Sequence, residues 1–313
     1  MSPVSRSRLW AITAYFNPMR YARRRANYRV FRDRLGLPLL TVELVFDETP
    51  ELGHGDADML VQLPGRDLLW HKERLLNLAA ARLPAGCDRL VWLDCDVFFG
   101  DDRWAPALDR ILDEALLAQP YSSVHYLTRA WSAEQRQPEI DFSRRSVAAA
   151  LAGGMSLEEC FLPPVHDRRL ITAPGFAWGA RRDLLARHGL YDAAIVGGGD
   201  RLLASAACGF LEGGARVHFH APRLEEHYLR WAVPFAHEVG GRVGFVEAEL
   251  FNLWHGDLAN RDDGCRNQKL IGSGFDPFTD IATDEHGVWR WSSDRPALHA
   301  YLRDYFTGRR EDG

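Results

Sequence analysis

Lysine is almost missing from this sequence. Of its 38 basic residues only Lys72 and Lys269 are lysines, and with the abundance of alanine this bias reflects coding composition rather than a binding strategy. Nor is positive charge in excess. The formal net charge of −5 provides no footprint of the kind that holds a phosphate backbone, so no nucleic-acid partner is expected. The five cysteines, at 87, 95, 160, 208 and 265, are odd in number and nowhere spaced Cys-x-x-Cys. That argues against a zinc knuckle and a complete disulfide framework, and fits a reducing cytoplasm. No stretch approaches about 20 uninterrupted apolar residues, and the first thirty residues are rich in arginine and aromatics without the apolar run of a signal peptide. The expectation is a cytoplasmic protein without a transmembrane segment, compatible with peripheral membrane contact. Internal repeats and low-complexity blocks are missing as well.

What the sequence does have is material for packing. With 46% hydrophobic and 11% aromatic residues in 313, and ten tryptophans spread from Trp10 to Trp291, it can bury a sizeable core. Disorder and coiled coil are excluded. Residues 9–16, LWAITAYF, form an apolar run that stops at Asn17-Pro18, a buried strand delivering its end to a loop. Tyr21, Ala22, Tyr28, Phe31 and Leu35 then recur at helical spacing, with Arg23, Arg24 and Arg25 on the other face. Residues 37–46 read as a second strand, 68–83 as an amphipathic helix ended by Pro84 and Gly86, 89–99 as a third strand, and 104–118 as helix. This alternation predicts an α/β fold, a doubly wound and mostly parallel sheet whose ligands collect at the C-terminal ends of its strands. The polar stretch 128–170, with Pro138, Gly153-Gly154 and Pro163-Pro164, reads either as a surface insertion or as a lid. After it come two Gly-rich turns, each leading into a helix (171–210), and a strand over 242–256 that reaches His255.

Asp94-Cys95-Asp96 follows the apolar Val91-Trp92-Leu93. On an extended segment the two carboxylates point to opposite sides, so both reach one ion only where the strand breaks into a turn, as Gly100-Asp101-Asp102 permits. Two solvated aspartates are the plainer alternative, yet an Asp at the end of a buried strand is expensive unless paired or metal-bound. Hard oxygen ligands there suit Mg²⁺ or Mn²⁺ carried by a nucleotide diphosphate. Gly197-Gly198-Gly199-Asp200 precedes a helix, and Asp200 is either its N-cap or a base accepting the proton of an acceptor hydroxyl. His255, between Trp254 and Gly256, offers an imidazole to the same ion. Lys72 shares a helical face with Leu75 and Leu76, a position that suits a phosphate partner or a snorkelling side chain.

Taken in order, Asn17-Pro18-Met19-Arg20, Lys72-Glu73-Arg74-Leu75-Leu76-Asn77, Asp94-Cys95-Asp96, Gly175-Phe176-Ala177-Trp178-Gly179, Gly198-Gly199-Asp200 and His255 span roughly residues 12–261. In this order they resemble the metal-dependent glycosyltransferases of GT-A fold, most closely the beta-1,4-galactosyltransferase type. The resemblance implies a GT-A fold and transfer of a sugar from a nucleotide diphosphate, UDP-sugar being the expected donor, to an acceptor hydroxyl with inversion. It implies Mn²⁺ or Mg²⁺ held by Asp94, Asp96 and His255, with Asp200 as the base. Asn17, Pro18, Arg20, Lys72, Asn77 and Asp94 would serve the donor, and Trp178 would floor a sugar ring if it is not simply core. The acceptor, whether glycan, lipid-linked saccharide, peptide or small molecule, is left open. This sequence departs from the family at Gly199, where the family has Glu, and in lacking a Golgi anchor, which is compatible with a bacterial-type enzyme. Nothing after about residue 265 has a counterpart. The implied partition is a GT-A domain over 1–265, with a nucleotide-sugar half over about 1–127 and an acceptor half over about 171–265, and a C-terminal extension over 266–313. Two other readings compete. A haloacid-dehalogenase-like phosphohydrolase would use Asp94 as nucleophile, although Phe98 stands where that class has Thr or Val. A non-catalytic carbohydrate-binding module would use the same cleft without turnover.

Overall fold

The computed structural model describes residues 8–135, 137–162, 171–218, 221–261 and 265–313. Its first half comprises β1 (Leu9–Phe16), α1 (Ala22–Arg34), β2 (Leu39–Val45), β3 (Met59–Pro64), α2 (Lys72–Arg82), β4 (Arg89–Leu93), β5 (Val97–Phe99), α3 (Trp104–Glu114), β6 (Leu117–Gln119) and β7 (Ser123–Leu127). Then follow β8 (Ile140–Ser146), α4 (Val147–Ala152), α5 (Leu157–Phe161), β9 (Thr172–Ala173), β10 (Ala177–Arg181), α6 (Arg182–His188), α7 (Gly199–Ala207), α8 (Leu211–His218) and α9 (Pro222–Val239). The chain closes with β11 (Val243–Phe245), β12 (Glu249–Asn252), α10 (Arg266–Gly272), β13 (Ile281–Thr283), β14 (Trp289–Trp291) and α11 (Pro296–Gly308).

The central sheet has the order β11-β6-β10-β4-β1-β2-β3, and only β10 runs against the rest. The apolar run of β1 follows from having both faces covered. Trp10, Ile12, Ala14 and Phe16 join one core with Leu75 and Leu76 of α2, while Leu9, Ala11 and Tyr15 join the other with Tyr28 and Phe31 of α1 and Leu108 of α3. Each Leu, Ile or Phe among them contributes about 1.5–3 kcal/mol when fully buried. The expected α/β fold, with a mostly parallel sheet flanked by helices, is therefore what the chain forms. Among the described residues no helix is long and apolar enough to cross a membrane.

Several boundaries differ from the expectation. The stretch 89–99 is not one strand. It divides at Asp94-Cys95-Asp96, β4 lying in the central sheet and β5 in a second sheet of order β5-β12-β7-β8-β9. Residues 242–256 divide in the same way into β11 and β12, and the expected helix 104–118 stops at Glu114 because Leu117–Gln119 is a strand of the central sheet. The polar stretch 128–170 carries regular structure where it is described. Its β8 pairs with β7, alternating half-buried Phe142 and Arg144 with exposed Asp141, Ser143 and Arg145, and Ser146 caps α4 by accepting from the Ala149 N–H. Pro163-Pro164 lie outside the described residues. Residues 266–313 pack onto the rest, since Leu298, Leu302 and Phe306 of α11 enter the main core and the Trp291 N–H donates to Asp67.

Candidate functional site

The Asp-Cys-Asp tripeptide marks the place where the chain leaves one sheet for the other, and both sheets hold it. The Asp94 N–H donates to the Phe176 carbonyl at 2.7 Å, the Thr13 hydroxyl to the Leu93 carbonyl at 2.7 Å, and the Leu253 N–H to the Asp96 carbonyl at 2.8 Å. Cys95 turns into the core, where burial pushes its thiol up. A cleft of about 240 Å³ opens above, with Lys72, Asp94, Asp96, Asp200 and His255 on its wall. These five predicted residues are thus brought together from segments up to some 180 positions apart in the chain.

Lys72 stands at the centre. Its Nζ lies 2.6 Å from Asp94 Oδ1 and 2.7 Å from Asp200 Oδ2. Burial alone would lower the ammonium, but Asp200 and Asp94 outweigh it and hold Lys72 well above its ordinary value. Three acids share this one cation, and the shortage shows. Burial, with Asp200 and Asp96 adding to it against the pull of Lys72, raises Asp94 to about 7. Burial likewise raises Glu73 to about 8, and its Oε1 is buried without a hydrogen-bond partner.

Asp200 is not the helix cap. The N-cap of α7 is Gly198, left-handed at φ 97°, and makes no side-chain cap bond; Asp200 sits in the first turn with its carboxylate on Lys72. Two glycines permit this geometry by close approach. A Cβ on Gly175 would lie 2.8 Å from Asp200 Oδ2, and one on Gly199 would lie 2.3 Å from Glu73 Oε1. The carboxyl of Glu73 therefore fills the space that a side chain at position 199 would need.

Asp96 faces away from Lys72. Its Oδ2 is 3.3 Å from His255 Nδ1, and the Asn252 amide approaches Oδ1 at 3.3 Å. Arg261 Nη2 lies 2.8 Å from His255 Nε2, which must accept, so Nδ1 carries the proton and donates to the Leu253 carbonyl at 2.9 Å. Burial pushes this imidazole well below its usual pKa, consistent with a neutral ring. Among the described residues no three His, Cys, Asp or Glu side chains converge as metal ligands. Asp94 belongs to Lys72, leaving Asp96; with Nδ1 protonated and Nε2 taken by Arg261, the His255 ring has no lone pair for an ion in this arrangement. The Asp96 carboxylate nevertheless fits a hard divalent ion, which takes most of its ligands from water and phosphate oxygens and needs one or two from protein.

The opposite charge was not legible in the sequence. Arg24, Arg144, Arg201, Arg261, Arg266 and Arg309 all line the cleft, so with Lys72 cations outnumber the three aspartates there. Two of them are fixed by one acid. Arg24 donates to Glu311 at 2.7 and 2.9 Å, Arg309 at 2.7 Å, and Glu311 is only 1% exposed. Burial alone would raise Glu311, but Arg24 and Arg309 hold it well below the usual carboxylate range. In the sequence Arg24 stands with Arg23 and Arg25 on the polar face of a helix; only the fold shows that it turns inward.

The other predicted residues are placed elsewhere. Asn17 is buried, its amide spanning Tyr21 and Glu51. Pro18 lies in the turn that Arg20 closes at φ 56°, and the Arg20 guanidinium donates to the carbonyls of Phe46 and Thr49, holding the neighbouring loop. Asn77 pins residues 190–192 through Leu190 and Asp192. Trp178 is fully buried in β10 with its indole N–H on the Pro174 carbonyl, which makes it core. None of these lines the cleft.

No family profile and no curated protein sequence matches the chain. Among solved structures it is similar to glucosyl-3-phosphoglycerate synthase from Mycobacterium tuberculosis, at 12% identity over 93% of this chain and 90% of that one, with a TM-score of 0.43. It is also similar to S. aureus TarS, at 12% identity over 85% of this chain with a TM-score of 0.37. The catalytic domain of Drosophila beta1,4galactosyltransferase 7 is a third, at 11% identity over 76% of this chain and 65% of that one, TM-score 0.32. The chain spans 39% of the TarS structure. Likenesses this loose decide nothing about the site, which stands on its own geometry.

Proposed function

We propose that the protein is a GT-A-type glycosyltransferase that moves a sugar from a nucleotide diphosphate, UDP in the expected case, to an acceptor hydroxyl with inversion. The observation that carries this reading is one cleft at the ends of parallel strands in which the Asp94, Asp96 and Asp200 carboxylates meet a wall of arginines. Arg24 and Arg309 suit the diphosphate. Guanidinium groups match phosphate oxygens in geometry and charge, and Arg24 and Arg309 are already oriented by Glu311. Asp200 accepts the acceptor proton as the bond at the anomeric carbon breaks, and the Lys72 ammonium at 2.7 Å keeps its carboxylate aimed. Asp96, joined by His255 once Arg261 releases its Nε2, would hold Mn²⁺ or Mg²⁺, which when bound stabilises the charge that builds on a departing diphosphate. A single base on the face opposite the leaving group gives inversion.

Two measurements test this. Asp200→Asn should lower transfer by at least about 10²-fold, the scale of general-base catalysis, while UDP binding is kept. Loss of UDP binding in the same variant would return Asp200 to a structural role. Incubation with UDP-sugars, Mn²⁺ and simple phosphomonoesters separates the reaction classes: a transferase releases UDP, a phosphohydrolase only phosphate from the monoesters, and a binding module neither. Unchanged turnover in EDTA would remove the metal from the scheme.

A further inference from the structure

The second sheet contributes its own wall to the cleft, and it is built unlike the rest. Tyr126 on β7 and Phe142 on β8 stack at 4.1 Å and 19°, and the Arg144 guanidinium lies over both rings, 5.4 and 5.2 Å from their centroids. The Phe176 ring stands edge-on to Tyr126 at 5.6 Å and 82°. Phe176 reaches that place with a left-handed backbone, φ 70°, costly for an aromatic residue by about 1–3 kcal/mol. Its carbonyl meanwhile takes the Asp94 N–H, so the aromatic shelf and the Asp94 backbone are set by the same residue.

Arg144 differs from the other cations of the cleft. Lys72 is paired with Asp94 and Asp200, Arg24 and Arg309 with Glu311, Arg261 with His255, and Arg266 with the Tyr305 hydroxyl, and Arg201 is not free either. Arg144 lines the cleft half-buried and, among the described residues, has neither a carboxylate nor a hydrogen-bond partner, only the two rings. A guanidinium held against aromatic rings rather than against a carboxylate keeps N–H groups for a planar or tetrahedral anion. Tyr126 and Phe142 give it a fixed platform rather than a flexible stem.

Resting on the glycosyltransferase reading, we infer that the acceptor is an anionic saccharide, a sugar bearing a carboxylate or a phosphate, whose charged group is bound by Arg144 with its ring beside Phe176. The probes are glucuronic acid, glucose 6-phosphate and uncharged glucose, titrated calorimetrically into the protein saturated with UDP and Mn²⁺. At least one charged sugar should bind tenfold or more tightly than glucose, and the comparison of the two tells carboxylate from phosphate. Arg144→Gln should abolish that preference, Arg144→Lys should keep part of it, and both should bind UDP within about twofold of wild type. Equal binding of charged and neutral sugars, including none by either, would overturn the inference. So would a preference that survives in Arg144→Gln, or a loss of UDP affinity in that variant, which would assign Arg144 to the donor. Failure of the wild-type protein to bind UDP would instead overturn the transferase reading itself.

Discussion

Around Lys72 three carboxyl groups share one ammonium; around Glu311 two guanidinium groups share one carboxylate. Both clusters border the same cleft, yet acids in them shift in opposite directions, Asp94 and Glu73 upward and Glu311 downward. Desolvation is comparable in the two, so the count of partners decides the sign. One side of the site is short of positive charge and the other short of negative charge, the arrangement that a cation–diphosphate pair would complete from both sides.

Lys72→Ala should break the first cluster and give the largest effect, about 3–5 kcal/mol of stability lost in urea unfolding, because it strands buried acids without a counter-charge. A loss below about 1 kcal/mol would show that those acids are already neutral. The pH dependence sharpens the contrast. Glu73 faces Lys72 on its own helix, Asp200 on α7 and Asp94 at the end of β4, and its pKa rises from 4.5 to about 8 on folding. The folded state then holds a proton that the unfolded state has released, so stability falls as pH climbs from about 5 to about 8, by up to about 1.4 kcal/mol per unit. Metal-free Glu73→Gln should lack this slope. Glu311 has the reverse sign: its stabilisation is present above its unfolded value of 4.5 and is lost as pH falls below that.

Glu311→Gln should be milder than Lys72→Ala, about 2 kcal/mol by thermal or urea unfolding, since the amide oxygen still accepts from one guanidinium. Smallest is Asp312→Ala at the rim of the same cluster. Its carboxylate accepts from the N–H groups of Ala22 and Arg23 at the start of α1, and removing such a cap costs about 1 kcal/mol. If Asp312→Ala were to exceed Glu311→Gln, the C-terminal segment would be held by the helix end rather than by the two arginines.

The sequence made legible those parts whose environment is uniform. β1 and β4 are covered on both faces and read as unbroken apolar runs, and Asp94, Asp96, Asp200, Lys72 and His255 stand at strand ends or helix starts where short patterns mark them. β3 was missed because its residues are mostly half-buried at the sheet edge and follow an acidic, Gly-containing stretch. β8 was missed because arginines occupy its alternation. The arginine wall was out of reach for another reason: residues 24, 144, 201, 261, 266 and 309 share no local pattern, and only the crossing of chain between sheets collects them. Likewise the burial of Glu73 depends on the absence of a side chain at Gly199 in a distant turn.

The joint between the sheets has a consequence for the spacing of the two aspartates. Asp94 follows the last residue of β4 and Asp96 precedes the first of β5, so a single amino acid bridges two layers and each carboxylate serves a different wall. Lengthening the bridge by one residue would rotate one of them out of reach of its partner, either the ammonium or the imidazole. The interval of one is therefore a measure of the gap that the backbone must cross.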